Sequence, residues 1–291
     1  MKKLFFTITA CSVLLSCEKS INDSAQQEYV FGLQLSSHQL SLDYINLNTF
    51  ELTSYSLPVQ SGIFYRGTFD GNNNYYVSVS DTIYEIDITD NSIRRKFISP
   101  DTLLYLFNDT DKKLLTGVSR KNDTIGIVKI SLTTGDQSFT KTSLVSDPVS
   151  FVTDAVYNTN DGTLIIKIGD QLNIVDVDNG EKISGFETQT SMYELRFSKS
   201  ENCLVYIGSA DNKLYYKKCD LKGNEKYSGL LETDIVGFFA GNSVLTDKND
   251  YVFVAMDNDQ KTKLYRINAD GMSKKELKDF DALSGFSYVK K

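Results

Sequence analysis

Aspartates recur beside short apolar segments in this chain, at Asp81, Asp101, Asp123, Asp147, Asp170, Asp211, Asp234, Asp257, Asp259 and Asp281. If those segments are arranged around an axis, the carboxylates converge on one rim. A rim of carboxylates could hold Ca²⁺, which takes about six to eight oxygen ligands. Asp101, Asp234 and Asp281 are the candidates for that role. The competing reading is that aspartate is a good turn residue, able to bond its own backbone. Asp257-Asn258-Asp259 begins like a calcium loop but lacks the glycine and the distal glutamate. The expectation is therefore no metal site and no cofactor. The one histidine, His38, stands in the polar stretch Ser36-Ser37-His38-Gln39, and a lone histidine cannot build a zinc site of the usual kinds. No Gly-x-Ser-x-Gly elbow, phosphate loop or dinucleotide fingerprint is present.

Charged and tyrosine side chains at the starts of otherwise apolar segments are the candidates for ligand contacts: Tyr65, Arg66, Asp154, Tyr193, Glu194 and Arg196. The alternative is internal pairing, with Arg196 bonded to Glu194 or to another inward carboxylate. The chain has no tryptophan, so stacking on a sugar would fall to its 17 tyrosines and 17 phenylalanines. Most of those are needed for packing between strands.

The first residues read as an address. Lys2 and Lys3 precede an apolar run from Leu4 to Leu15, too short to span a bilayer. The run ends in Leu14-Leu15-Ser16-Cys17, which resembles a bacterial lipobox. The resemblance implies cleavage before Cys17 and acylation of that cysteine, giving a signal peptide over 1–16, a lipidated tether over 17–28 and a folded body over 29–291. The membrane would be met through that lipid alone. The alternative is an ordinary secretory signal. Ten residues, 18–27, reach at most ~35 Å. Loss of the two signal lysines takes the formal charge from −7 to −9. An acidic chain without basic runs is a poor partner for nucleic acid.

With Cys11 in the signal and Cys17 carrying lipid, Cys203 and Cys219 are left. A hairpin centred on Asp211 would set them opposite each other, at the ~4.5–5.5 Å spacing of paired strand positions, where a disulfide closes. A shift of one residue would instead send the two thiols to opposite faces.

The elements that must position these residues are repeats. Alternating strands end in a polar turn at Asn46, Asp87, Ser131, Asp176, Asp220 and Asn268, at spacings of 41 to 48 residues. A period of roughly 40–50 residues holding about four strands is a β-propeller blade. Each blade reads as an inner strand A followed by B, C and D. The B segments Tyr75-Tyr76-Val77, Leu164-Ile165-Ile166, Leu204-Val205-Tyr206-Ile207 and Tyr251-Val252-Phe253-Val254 are apolar without alternation, as expected of strands buried on both faces. Pro58, Pro100 and Pro148 are expected in the D–A crossovers. The first repeat has B, C and D but no A, and Phe286-Ser287-Tyr288-Val289 supplies it from the far end. The fold class is thus an all-β, six-bladed propeller of four antiparallel strands per blade, closed by the C-terminal strand in the first blade.

Lys263-Leu264-Tyr265-Arg266-Ile267-Asn268-Ala269-Asp270-Gly271 resembles the C strand and turn of TolB-like propeller repeats. Phe197-Ser198-Lys199-Ser200-Glu201-Asn202, followed by Leu204-Val205-Tyr206, is similar to their A–B turn. The resemblance spans residues 29–289 as architecture. It implies an envelope location and a binding role, because the class includes periplasmic protein-binding modules. The functional expectation is a lipid-anchored, non-catalytic binding module for an envelope protein, peptide or glycan. The alternative is a metal-dependent hydrolase or lactonase of the six-bladed kind, working through channel carboxylates.

Overall fold

The computed structural model describes residues 26–36, 39–60, 64–99, 101–121, 124–145, 152–231, 235–270, 274–279 and 283–291. Among these every regular element is a strand, and the strands form six four-stranded antiparallel sheets. Blade 1 runs outward from the axis as Ser284–Lys290, Glu28–Ser36, Gln39–Asn46 and Leu52–Gln60. The inner strands of blades 2 to 6 are Phe64–Phe69, Leu103–Asp109, Val152–Asn158, Ser191–Ser198 and Ile235–Leu245. Each inner strand lies against those of the blades on either side, and blade 6 meets blade 1. The all-β, six-bladed ring anticipated from the repeat is the observed fold.

In blades 1, 4 and 5 the repeated polar residue has a local task. The Asn46 carboxamide oxygen accepts the backbone N–H groups of Asn48 (2.8 Å) and Thr49 (3.0 Å). The Asp176 carboxylate does the same for Asp178 and Asn179, and Asp220 for Lys222 and Asn224. A short acceptor at the end of strand C thus captures amides that the ladder leaves without partners as the chain turns. The second strands carry the core. Leu164, Ile165 and Ile166 are all fully buried, with Ile165 packed toward blade 5 and Leu164 and Ile166 toward blade 3.

Every inner strand also shifts register against the strand beside it. At two of these bulges the neighbouring blade supplies a tyrosine. Tyr75 donates its hydroxyl to the carbonyl of Gly285 (2.6 Å), and Tyr251 donates to the carbonyl of Glu194. Gly285 and Glu194 both have positive φ, +67° and +56°. The bulge turns a carbonyl out of its own ladder, and a buried phenol from the next blade satisfies it.

The ring is closed by hydrogen bonding between the chain's two ends. Tyr29 pairs with Val289 and Val30 with Tyr288, and Gln27 and Lys291 exchange backbone bonds of 2.8 and 2.9 Å. Beside this seam Arg266 of blade 6 bonds Asp250 of its own blade and Glu28 of blade 1.

Two expectations need correction. Pro58 lies within the outer strand of blade 1 rather than in a crossover. It falls where that strand bulges away from its partner between Ser56 and Gln60, so no ladder donor is missed. Pro100 and Pro148 lie outside the described residues. The Cys203–Cys219 disulfide is not formed: Cys219 faces Leu204, and both thiols are free and buried. The hairpin turns on two residues, Asp211 and Asn212, with φ of +50° and +57°. Positive φ at both positions is the tight turn that matches strand twist, and it moves the centre by half a residue from Asp211. Cys203 accordingly packs with Val205 and Ile207, and Cys219 with Leu204 and Tyr206 on the other face. Burial pushes the Cys219 thiol up to about 12, so it is an inert core residue.

Candidate functional site

The ring has two mouths. One is bordered by the starts of the inner strands and the B–C turns, the other by the ends of the inner strands and the A–B turns. At the first, blades 4, 5 and 6 enclose a cavity of about 240 Å³. Its walls bring together three of the candidates, Asp154, Tyr193 and Glu194, with Lys167 and Phe238.

Tyr193 and Phe238 come from adjacent inner strands and stack with centroids 4.9 Å apart and planes 15° from parallel. Phe238 is seated against Phe253 in the core (6.3 Å), which leaves Tyr193 as the outer ring, 38% exposed. The pair is an aromatic shelf backed by the interior.

Lys167 ends the second strand of blade 4 and is only 6% exposed. Its ammonium donates to the carbonyl of Gly169 (2.7 Å) and reaches the Thr153 hydroxyl (3.3 Å). Burial lowers its pKa from the ordinary lysine value, against the pull of Asp170 and Asp154. Among the described residues no carboxylate comes within ion-pair distance of it.

The acids of this mouth have structural work. Asp154 accepts the N–H of Ala155 on one oxygen (2.8 Å) and that of Leu195, in the next blade, on the other (2.9 Å). Leu195 follows the bulged Glu194, so Asp154 clamps the bulge that positions Tyr193. Glu194 is buried, and its carboxylate lies 3.9 Å from the Arg196 guanidinium. The internal pairing considered for Arg196 is therefore present, though the arginine also donates to the carbonyls of Ser243 (2.7 Å) and Leu195 (2.6 Å). Asp257 accepts the N–H groups of Asp259 and Lys261 and pairs with Lys263 at 2.8 Å. Those bonds hold its carboxyl below the usual range, the Lys263 contact foremost. It caps a turn rather than opening a calcium loop.

The remaining candidates fall elsewhere. Arg196 borders a cavity of about 310 Å³ at the opposite mouth. That mouth is ringed by Phe69, Phe107, Tyr157, Phe197, Leu245 and Tyr288, one from each inner strand. Each packs into a core cluster between blades, so ring packing sets the walls of this cavity. Tyr65 and Arg66 belong to the inner strand of blade 2, but their side chains lie outside the described residues, as do Cys17, His38, Asp234 and Asp281. Asp101 lies before the inner strand of blade 3, its carbonyl accepting the Ser99 hydroxyl (2.6 Å). Lys167 and Phe238 were not among the sequence candidates. The signal for Lys167 is a lysine within the otherwise apolar run Leu164-Ile165-Ile166-Lys167-Ile168.

This architecture is that of the TolB-like six-bladed β-propellers. TolB from Acinetobacter baumannii superposes with a TM-score of 0.65 at 11% identity, over 91% of this chain and 66% of that one. A putative TolB from Agrobacterium tumefaciens gives 0.62 at 12% identity, over 90% and 92%. A protein of unknown function from Bacteroides caccae gives 0.64 at 14% identity, over 91% and 98%. At such identities the likeness is one of fold. No family model matches the chain, and no curated protein matches it in sequence.

Proposed function

We propose that the protein is a non-catalytic binding module of the cell envelope, held to a membrane by lipid on Cys17, with the crossover mouth as its binding face. The observation that carries this reading is the cavity in which an exposed aromatic shelf and a buried ammonium converge from three successive blades. The described carboxylates around it serve turns and the ring, as Asp154 and Asp257 do, rather than standing as an acid–base pair. The TolB-like architecture supports an envelope setting by analogy.

Topology adds an orientation. Glu28 pairs with Lys290 at the end of the closing strand, so the tether leaves from the A–B side of the ring. The tether spans at most ~35 Å, which turns that side toward the membrane and the Tyr193 mouth toward solvent. Two outcomes are expected in the native host. Replacing Cys17→Ser shifts the protein from the membrane pellet to the soluble fraction. A photoreactive phenylalanine analogue at position 193 yields a discrete adduct, while the same analogue at the exposed Asn72, on the A–B side, does not. Equal labelling at both positions, or none at 193, would overturn this choice of face.

A further inference from the structure

The charge and shape of the crossover cavity define a narrower ligand class, an inference that rests on the reading of this mouth as the binding face. We propose that the cavity takes a carboxylate-bearing sugar ring of the uronic-acid type, with the carboxylate on Lys167 and the ring against Tyr193.

Lys167 supplies the first argument. A buried ammonium is costly unless a counter-charge meets it, and its two partners, the Gly169 carbonyl and the Thr153 hydroxyl, are neutral. An ammonium has three donors, so one more bond is open to it. The nearby acids Asp170 and Asp154 attract the charge, but neither comes within ion-pair distance of it. Asp154 holds two backbone amides of two blades, and Glu194 is turned to Arg196. An anion entering from solvent completes the site without disturbing either.

The ring is argued from the shelf and the space. Tyr193 is covered on one side by Phe238 and is 38% exposed, an aromatic surface on which the C–H face of a pyranose can lie. About 240 Å³ is less than the roughly 300 Å³ at which drug-sized sites begin, a volume that suits a single ring. The hydroxyls of Ser191 and Thr153 stand in the same wall to meet ring hydroxyls. Glu194, which fixes Tyr193 in place, is held at a φ of +56° by Asp154 and Tyr251. Backbone held in a sparsely populated region next to a cavity is a recurrent mark of ligand sites.

Calorimetric titration of the full mature chain with glucuronate, glucose and benzoate tests the proposal. Glucuronate should bind at least about tenfold more tightly than glucose, the effect of one charge-assisted hydrogen bond. Lys167→Met should erase that difference while leaving the melting temperature equal or higher, since it removes a buried charge that no carboxylate contacts directly. Tyr193→Ala, a surface change, should weaken glucuronate and glucose alike. No glucuronate binding up to about 10 mM, equal binding of glucose, or an undiminished preference in Lys167→Met overturns the proposal. Binding of benzoate without glucuronate overturns the sugar class. A position-193 adduct that persists while glucuronate fails would leave the binding face standing and remove the uronic-acid assignment alone.

Discussion

Removing Phe286 to Lys291 should abolish the cooperative fold of the whole ring, although those residues make up most of only one of the twenty-four described strands. The strand lies innermost in blade 1 and also contacts the inner strands of blades 2 and 6. Phe286 and Val289 are buried and Tyr288 is partly so. Each such side chain contributes about 1.5–3 kcal/mol by leaving water. Its loss also strips the strand Glu28–Ser36 of partners from Glu28 to Phe31, and every buried amide or carbonyl left alone costs about 1–3 kcal/mol more. The total approaches the roughly 5–15 kcal/mol that holds a domain together. In urea the truncated chain should show no native baseline, and a peptide spanning 284–291, added in excess, should restore part of the transition. A truncated protein that melts like its parent would show that closure does not depend on this strand.

The closure was legible because a propeller's register is written in its turns. The polar residue after each C strand falls at or one residue past the observed strand end, from Asn46 to Asn268, and at Asn46, Asp176 and Asp220 that side chain binds the turning backbone. Burial on both faces likewise made the second strands readable as unbroken apolar runs. What could not be read was anything decided by a single residue of register. Ala210-Asp211-Asn212 can turn on two residues or three, and the choice moves Cys219 from Cys203 to Leu204. The site divided in the same way. Asp154, Tyr193 and Glu194 stood out as polar or charged positions in apolar strands, and the structure gathers them. Arg196, two residues on from Glu194, faces the other cavity because the bulge between Tyr193 and Arg196 breaks the alternation. Phe238 looked like any core phenylalanine, since its stacking partner sits in another blade.

The seam between the first and last blades should also be sensitive to one guanidinium. Arg266 donates Nε and Nη2 to Asp250 Oδ2 (2.9 and 2.6 Å) and Nη1 to Glu28 Oε2 (3.1 Å). Asp250 also accepts the Ala269 N–H, and Glu28 lies within hydrogen-bond distance of the Tyr288 hydroxyl. Both carboxylates are buried. Arg266→Met therefore leaves two buried acids facing each other across the seam. Lys248, 66% exposed and 3.9 Å from Glu28, is too solvated to replace the planar fork. Breaking a buried pair by removing one partner costs about 3–5 kcal/mol, and this substitution removes the shared partner of two. Exchanging the whole set is a different matter, because neutral side chains of similar volume need no counter-charge. The triple variant Glu28→Gln, Asp250→Asn and Arg266→Met should recover most of the stability lost in Arg266→Met. Arg266→Lys should fall between, keeping the charge but not the two-directional fork. Urea unfolding of the four proteins measures this directly. If Arg266→Met costs less than about 1 kcal/mol, in the range of a surface pair, the guanidinium does not hold the seam and the backbone ladder alone closes the ring.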